Sequence, residues 1–279
     1  ATSNSPLCEG SDIQLDETGG DATSWSWENP SGVVFSSAQS PTISNATPAD
    51  AGWYKVTVQG PSGCQNVDSV NVTVNATPSV NATSNSPVCE GSDIQLDETG
   101  GDATSWSWED PSGAVFSSAQ SPTISNATPA DAGWYKVTIQ GPNGCENVDS
   151  VNVTVNSTPA INATSNSPVC EGNDILLDET GGEATSWSWE DPAGTEFSTA
   201  QSPTISDADP SDSGWYIVTI QGPSGCQNID SVDVTVTPAP TVDAGPDSVA
   251  ICYDATSHTL ANSSASDYNT LQWTTSGDG

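Results

Sequence analysis

The run from Asp50 to Cys64, DAGWYKVTVQGPSGC, returns as DAGWYKVTIQGPNGC from Asp131 to Cys145 and as DSGWYIVTIQGPSGC from Asp212 to Cys226. Within the first copy Tyr54, Val56 and Val58 alternate with Trp53, Lys55 and Thr57. A period of two marks a half-buried strand, with the tyrosine and valines inward and the polar residues outward. Gly60-Pro61-Ser62-Gly63 reads as a turn, because glycine and proline supply the dihedrals that a chain reversal needs. Val70, Val72 and Val74 then alternate with Asn71, Thr73 and Asn75, so a second strand returns. The unit is a β-hairpin with a cysteine at its tip, repeated every 81 residues.

That period organises the whole chain of 279 residues. Residues 1–81 superpose on 82–162 with nine differences, most of them mild, such as Leu7/Val88 and Val58/Ile139. Self-similarity at a fixed spacing indicates tandem modules. The boundaries fall at 1–76, 77–157 and 158–238, and 239–279 reads as an incomplete fourth unit. That last unit holds a first cysteine, Cys252, and a core-type tryptophan, Trp273, without the hairpin that closes the others. The expectation is therefore a window on a longer array of domains.

Charge restricts the partners. There are 36 acidic residues, two lysines (Lys55 and Lys136) and no arginine, a net charge of −34. Such a surface repels phosphate backbones and anionic lipid heads, so neither nucleic acid nor a membrane surface is an expected partner. No apolar run reaches the length of a membrane span. The plain consequence of the acidity is solubility and mutual repulsion of neighbouring chains.

Around the hairpin the remaining strands are short. Ile13 and Leu15 face one way and Gln14 and Asp16 the other, and Trp25 and Trp27 share a face with Ser24 and Ser26 opposite. Val33–Phe35 and Thr42–Ser44 complete a set of about seven strands, with a turn every ten or so residues. This pattern predicts an all-β fold of tandem immunoglobulin-like antiparallel β-sandwiches. Asp50-x-Gly52-x-Tyr54 resembles the immunoglobulin tyrosine corner, and Trp25 or Trp27 stands where that fold keeps its core tryptophan. The cysteines depart from the antibody pattern, since Val56 occupies the place of the second core cysteine. Cys8-Glu9-Gly10 ahead of the second strand, together with a Gly-Cys at the last hairpin, is similar to the bacterial immunoglobulin-like or PKD-like surface repeats. Those occur in very large secreted adhesins of gliding bacteria, exported by a type IX system. The resemblance implies a non-enzymatic stalk, extracellular and at the cell surface, whose partners are neighbouring domains of the same longer chain.

Seven cysteines fall two per full repeat and one in the last unit, with no CxxC and no Cys-His pairing that would suit zinc. An even count per repeat in a polar chain points to disulfides and an oxidising compartment. With one pair per repeat, the expected bridges are Cys8–Cys64, Cys89–Cys145 and Cys170–Cys226. Asp16, Glu17 and Asp21 lie within six residues and form a candidate calcium site, weighed against a solvated acidic rim; no cofactor is required. Trp53, Trp134 and Trp215 should point outward. They are candidates for stacking on surface glycans, weighed against simple cover of the neighbouring strand. Ser69, Ser150 and Ser231, each in Asp-Ser-Val, resemble short bacterial O-glycosylation acceptors. Catalysis has little support: the one histidine, His258, has no nucleophile or acid readable around it, and Asp16/Glu17 recur in every repeat. The alternatives to the stalk are a carbohydrate-binding array and a subunit of a homopolymeric fibre.

Overall fold

The computed structural model describes residues 1–243 and the strand Ser264–Ala265. Cys252, His258 and Trp273 lie outside the described residues. The first repeat runs through β1 (Thr2–Ser3), β2 (Leu7–Cys8), β3 (Ile13–Asp16), β4 (Ser24–Glu28) and β5 (Val34–Ser36). It continues through β6 (Thr42–Ile43), β7 (Gly52–Gln59), β8 (Gln65–Val72) and β9 (Val74–Asn75). One sheet has the order β1-β3-β6 and the other β5-β4-β7-β8. This is the immunoglobulin-like sandwich that the alternating pattern predicts. The second and third repeats reproduce it 81 and 162 residues further on. The chain divides into two compact units, one ending at Asn156 and the other beginning at Ser157.

The hairpin forms with an unbroken register of eight pairs, Gly52↔Val72 through Gln59↔Gln65. Val74 leaves it. The Thr73 N–H donates to Ser5 Oγ at 2.7 Å, the ladder breaks there, and β9 pairs with β2 in parallel, Leu7↔Val74 and Cys8↔Asn75. Within the repeat this parallel pair departs from the otherwise antiparallel scheme. It places Cys8 at the end of the sandwich where β7 begins.

Ile13 and Leu15 from one sheet meet Trp27, Tyr54, Val56 and Val72 from the other, all almost fully buried. Trp27 is the core tryptophan, and its indole N–H reaches the Gln39 carbonyl at 3.3 Å. Trp25 shares its face at the rim of the core. Burying side chains of this size contributes roughly 1.5–3 kcal/mol each. The tyrosine corner is present: Tyr54 O–H donates to the Asp50 carbonyl at 2.8 Å, with counterparts at Tyr135 and Tyr216. Gly52 makes the bend possible. Its φ is +137°, and a Cβ there would lie 2.9 Å from Pro30 Cβ.

On the outer face of the larger sheet, Lys55 stands across from Glu28 and pairs with it at 2.6 Å, as Lys136 does with Glu109 at 2.7 Å. Both lysines of the chain are thus neutralised locally, which leaves the acidic surface without compensating free ammonium groups. Half-exposed pairs of this kind contribute about 0–1 kcal/mol.

Candidate functional site

The chemistry of the first unit converges on the junction between its two repeats. Asn75 leaves β9 and an uncharged linker, Ala76-Thr77-Pro78-Ser79-Val80-Asn81, passes over the hairpin tip of the second repeat. The side-chain amide of Asn147 donates to the Pro78 carbonyl at 2.9 Å, and Gly101 N–H donates to Ser79 Oγ at 2.8 Å. Thr99 N–H donates to the Asn81 carbonyl at 3.0 Å, and Asn81 N–H to Glu98 Oε1 at 3.2 Å. In the second unit the third repeat meets its own linker in the same way: Asn228 donates to Pro159 O at 3.0 Å and Asn162 N–H to Glu179 Oε1 at 3.3 Å.

A disulfide seals the first junction. Cys8 is bonded to Cys145 of the next repeat, with Cα atoms 5.6 Å apart, and the Cys145 sulfur lies 3.9 Å from the Asn75 carbonyl. The expected Cys8–Cys64, Cys89–Cys145 and Cys170–Cys226 bridges are therefore corrected. The reason is geometric. Cys8 sits where β7 begins and Cys64 lies just beyond where it ends, and eight residues at about 3.3 Å each separate the two ends by about 26 Å. A disulfide needs its Cα atoms within about 7 Å. One pair per repeat does not discriminate a bond within a repeat from one between repeats, whereas the length of the β7 alternation does. Cys64 and Cys170 are exposed free thiols, and Cys89 and Cys226 are disulfide-bonded.

The acidic turn is not an assembled calcium cage. Glu17 is buried, and its carboxylate accepts Gly19 N–H at 2.6 Å and the Trp25 indole N–H at 3.0 Å. Asp16 accepts the Ser40 hydroxyl, and Asp21 is exposed. Among the described residues no group of three metal-ligating side chains is brought together. Glu17 belongs to the wall of the junction, as Glu98 and Glu179 do with both their oxygens accepting protein N–H groups. Sequence reading missed this role; the signal available was a glutamate whose parity matches Ile13 and Leu15.

Trp53, Trp134 and Trp215 point outward as expected, 63%, 62% and 58% exposed. Ser69, Ser150 and Ser231 are also exposed, on the last strand of each hairpin. The aspartate before each serine anchors the start of its repeat: Asp149 and Asp230 accept the N–H of Ala82 and Ala163, both at 2.9 Å, and Asp68 pairs with the Ala1 ammonium. That ammonium hydrogen bond, ahead of the bond from Ser69 N–H, holds the Asp68 carboxyl below its ordinary range.

No protein-family model and no curated protein matches the chain. Among solved structures it is similar to the three N-terminal domains of the outer capsid protein Hoc of bacteriophage RB49. That match has 17% identity and a TM-score of 0.41, covering 83% of this chain and 96% of that one. The eight N-terminal Ig domains of the Down syndrome cell adhesion molecule match at 15% identity and a TM-score of 0.34, over 86% of this chain and 35% of that one. Murine CEACAM1b matches at 11% identity and a TM-score of 0.32, over 57% of this chain and all of that one.

Proposed function

We propose that the chain is a non-enzymatic stalk of tandem immunoglobulin-like repeats in a large extracellular surface adhesin. The observation that carries this reading is the junction: consecutive repeats share a hydrogen-bonded linker and the Cys8–Cys145 bond. A covalent tie between neighbouring modules gives a tandem array resistance to being pulled apart. It also requires an oxidising compartment. Force spectroscopy on the chain tests the proposal. Oxidised molecules should withhold the length enclosed by the bond, and reduced molecules should release it. Equal extension of the two forms would remove the mechanical reading.

A second reading is a carbohydrate-binding array, favoured by the three outward tryptophans at equivalent positions. A glycan array probed with the intact chain separates the two, because a stalk module retains no sugar.

A further inference from the structure

The hairpin end of the first repeat carries the same surface that the linker covers in the second, and in the first repeat it is open. A groove of about 340 Å³ there is lined by Gly19, Gly20, Val58, Gly60, Cys64 and Asn66, among others. In the second repeat the matching Ile139, Gly141 and Cys145 are buried, whereas Val58 and Gly60 are partly exposed and Cys64 is exposed. Asn147, which donates to the linker's Pro78 carbonyl, has its counterpart in Asn66 on the wall of this groove. At the other end, Cys170 occupies in the third repeat the position that Cys8 occupies in the first. It too is an exposed free thiol, next to a strand (Val236–Thr237) and an uncharged exit segment, Pro238-Ala239-Pro240.

We propose that these are two halves of one interface. The hairpin end of one copy takes the exit end of the third repeat of a second copy, and a Cys64–Cys170 disulfide closes the contact. The occupant is argued from the junction already inside the chain: an uncharged Pro-containing linker on the groove, and a first-position cysteine bonded to a hairpin-tip cysteine. The interface is heterologous, so each copy retains one unused half and the assembly propagates head to tail. Bond formation oxidises two thiols to one disulfide. The two electrons and two protons pass to an oxidant of the disulfide class, oxidised glutathione in the test below, which leaves as two thiols. The proposal rests on the stalk reading for its extracellular setting, and its failure would leave the Cys8–Cys145 bond in place.

The test uses the full chain in a Cys252→Ser background, in a glutathione redox buffer at moderate salt to screen the acidic surfaces. Non-reducing electrophoresis should show a ladder, and peptide mapping should recover Cys64 joined to Cys170. Cys64→Ser alone and Cys170→Ser alone should each stay monomeric, and an equimolar mixture should stop at the dimer. A second variant separates docking from random thiol oxidation. A Cβ at the equivalent Gly141 would lie 3.6 Å from Pro78 Cβ, so Gly60→Leu fills the groove while leaving Cys64 intact. It should slow cross-linking by about tenfold or more, the loss of a modest docking contact. Monomer under all conditions overturns the proposal. So does dimerisation of either single variant at the rate of the mixture, or a Gly60→Leu rate equal to that of the parent.

Discussion

Gly100 lies directly under Ser79: a Cβ on that glycine would stand 2.1 Å from the Ser79 carbonyl oxygen. Gly181 stands in the same relation to Ala160, with its Cβ position 2.3 Å from that carbonyl. The glycine pair after the acidic turn therefore exists for the approach of the linker as well as for the turn. Gly100→Ala should push Ser79–Asn81 off the second repeat and cost about 1–3 kcal/mol by overpacking. Thermal melting of the intact chain measures the loss, and oxidative refolding should show slower closure of Cys8–Cys145.

The Cys8–Cys145 bond spans a sequence separation of 137 residues. In the chain-entropy model a loop of that size contributes about 5 kcal/mol. Pulled from its ends, the oxidised chain bears load through the bond and shelters the intervening residues. Reduction should lengthen the fully unfolded molecule by roughly 450 Å, at about 3.3 Å per residue. A bond within one repeat would hide less than half of that. The extension gained on adding reductant in a single-molecule pulling measurement decides between them.

Much of this fold was legible because the sandwich is written in period two. Tyr54, Val56, Ile13, Leu15 and the Trp25/Trp27 pair announced which faces meet, and the 81-residue shift announced the modules. The junction was harder to read. Cys8 and Cys145 are brought together by two sandwiches placed end to end, and no local pattern encodes that contact. Glu17 was read as solvent-facing because carboxylates usually are. Its burial depends on two N–H donors, from Trp25 and Gly19, that only the folded turn aligns.

Replacing Glu17 by alanine leaves the Trp25 indole and the Gly19 amide without their acceptor. The expected cost is about 1–3 kcal/mol, the range for a buried donor left unpaired. Because both carboxylate oxygens serve the protein, melting curves of the parent chain in millimolar calcium and in chelator should coincide. A calcium-dependent rise in melting temperature, lost in Asp16→Asn or Asp21→Asn, would restore a metal role for the turn.

The three tyrosine corners predict an alkaline limit. Burial, and then the nearby Asp50, raise the Tyr54 phenol above its ordinary pKa of 10.0; Tyr135 and Tyr216 are raised likewise. Above that value the unfolded chain gives up the phenolic proton more readily than the folded one. The native state then binds more protons, and stability falls as pH rises. Stability from the corners should be complete below about pH 10 and decline above it. Tyr54→Phe should cost about 0.5–1.5 kcal/mol at neutral pH and weaken this alkaline loss. Denaturant midpoints at neutral pH and above pH 10 measure both effects.

The outward tryptophans supply the last test. Trp53, Trp134 and Trp215 are more than half exposed, so burial does not account for their size. Each faces an Asn or Asp on the next strand (Asn71, Asn152 and Asp233), and no described aromatic ring stacks on them. Substituting all three by alanine should change stability by no more than about 0.5 kcal/mol per site, the range for exposed positions without a special contact. The stalk reading expects the parent chain to be retained by no sugar on a glycan array. Stacking would instead contribute through ring-face contact, as aromatic side chains do with apolar faces elsewhere. Retention of the parent, together with its loss in the triple variant at unchanged stability, would replace the stalk by a sugar-binding array. Retention that survives the triple variant would place the sugar contact elsewhere on the sandwich and leave these tryptophans without a binding role.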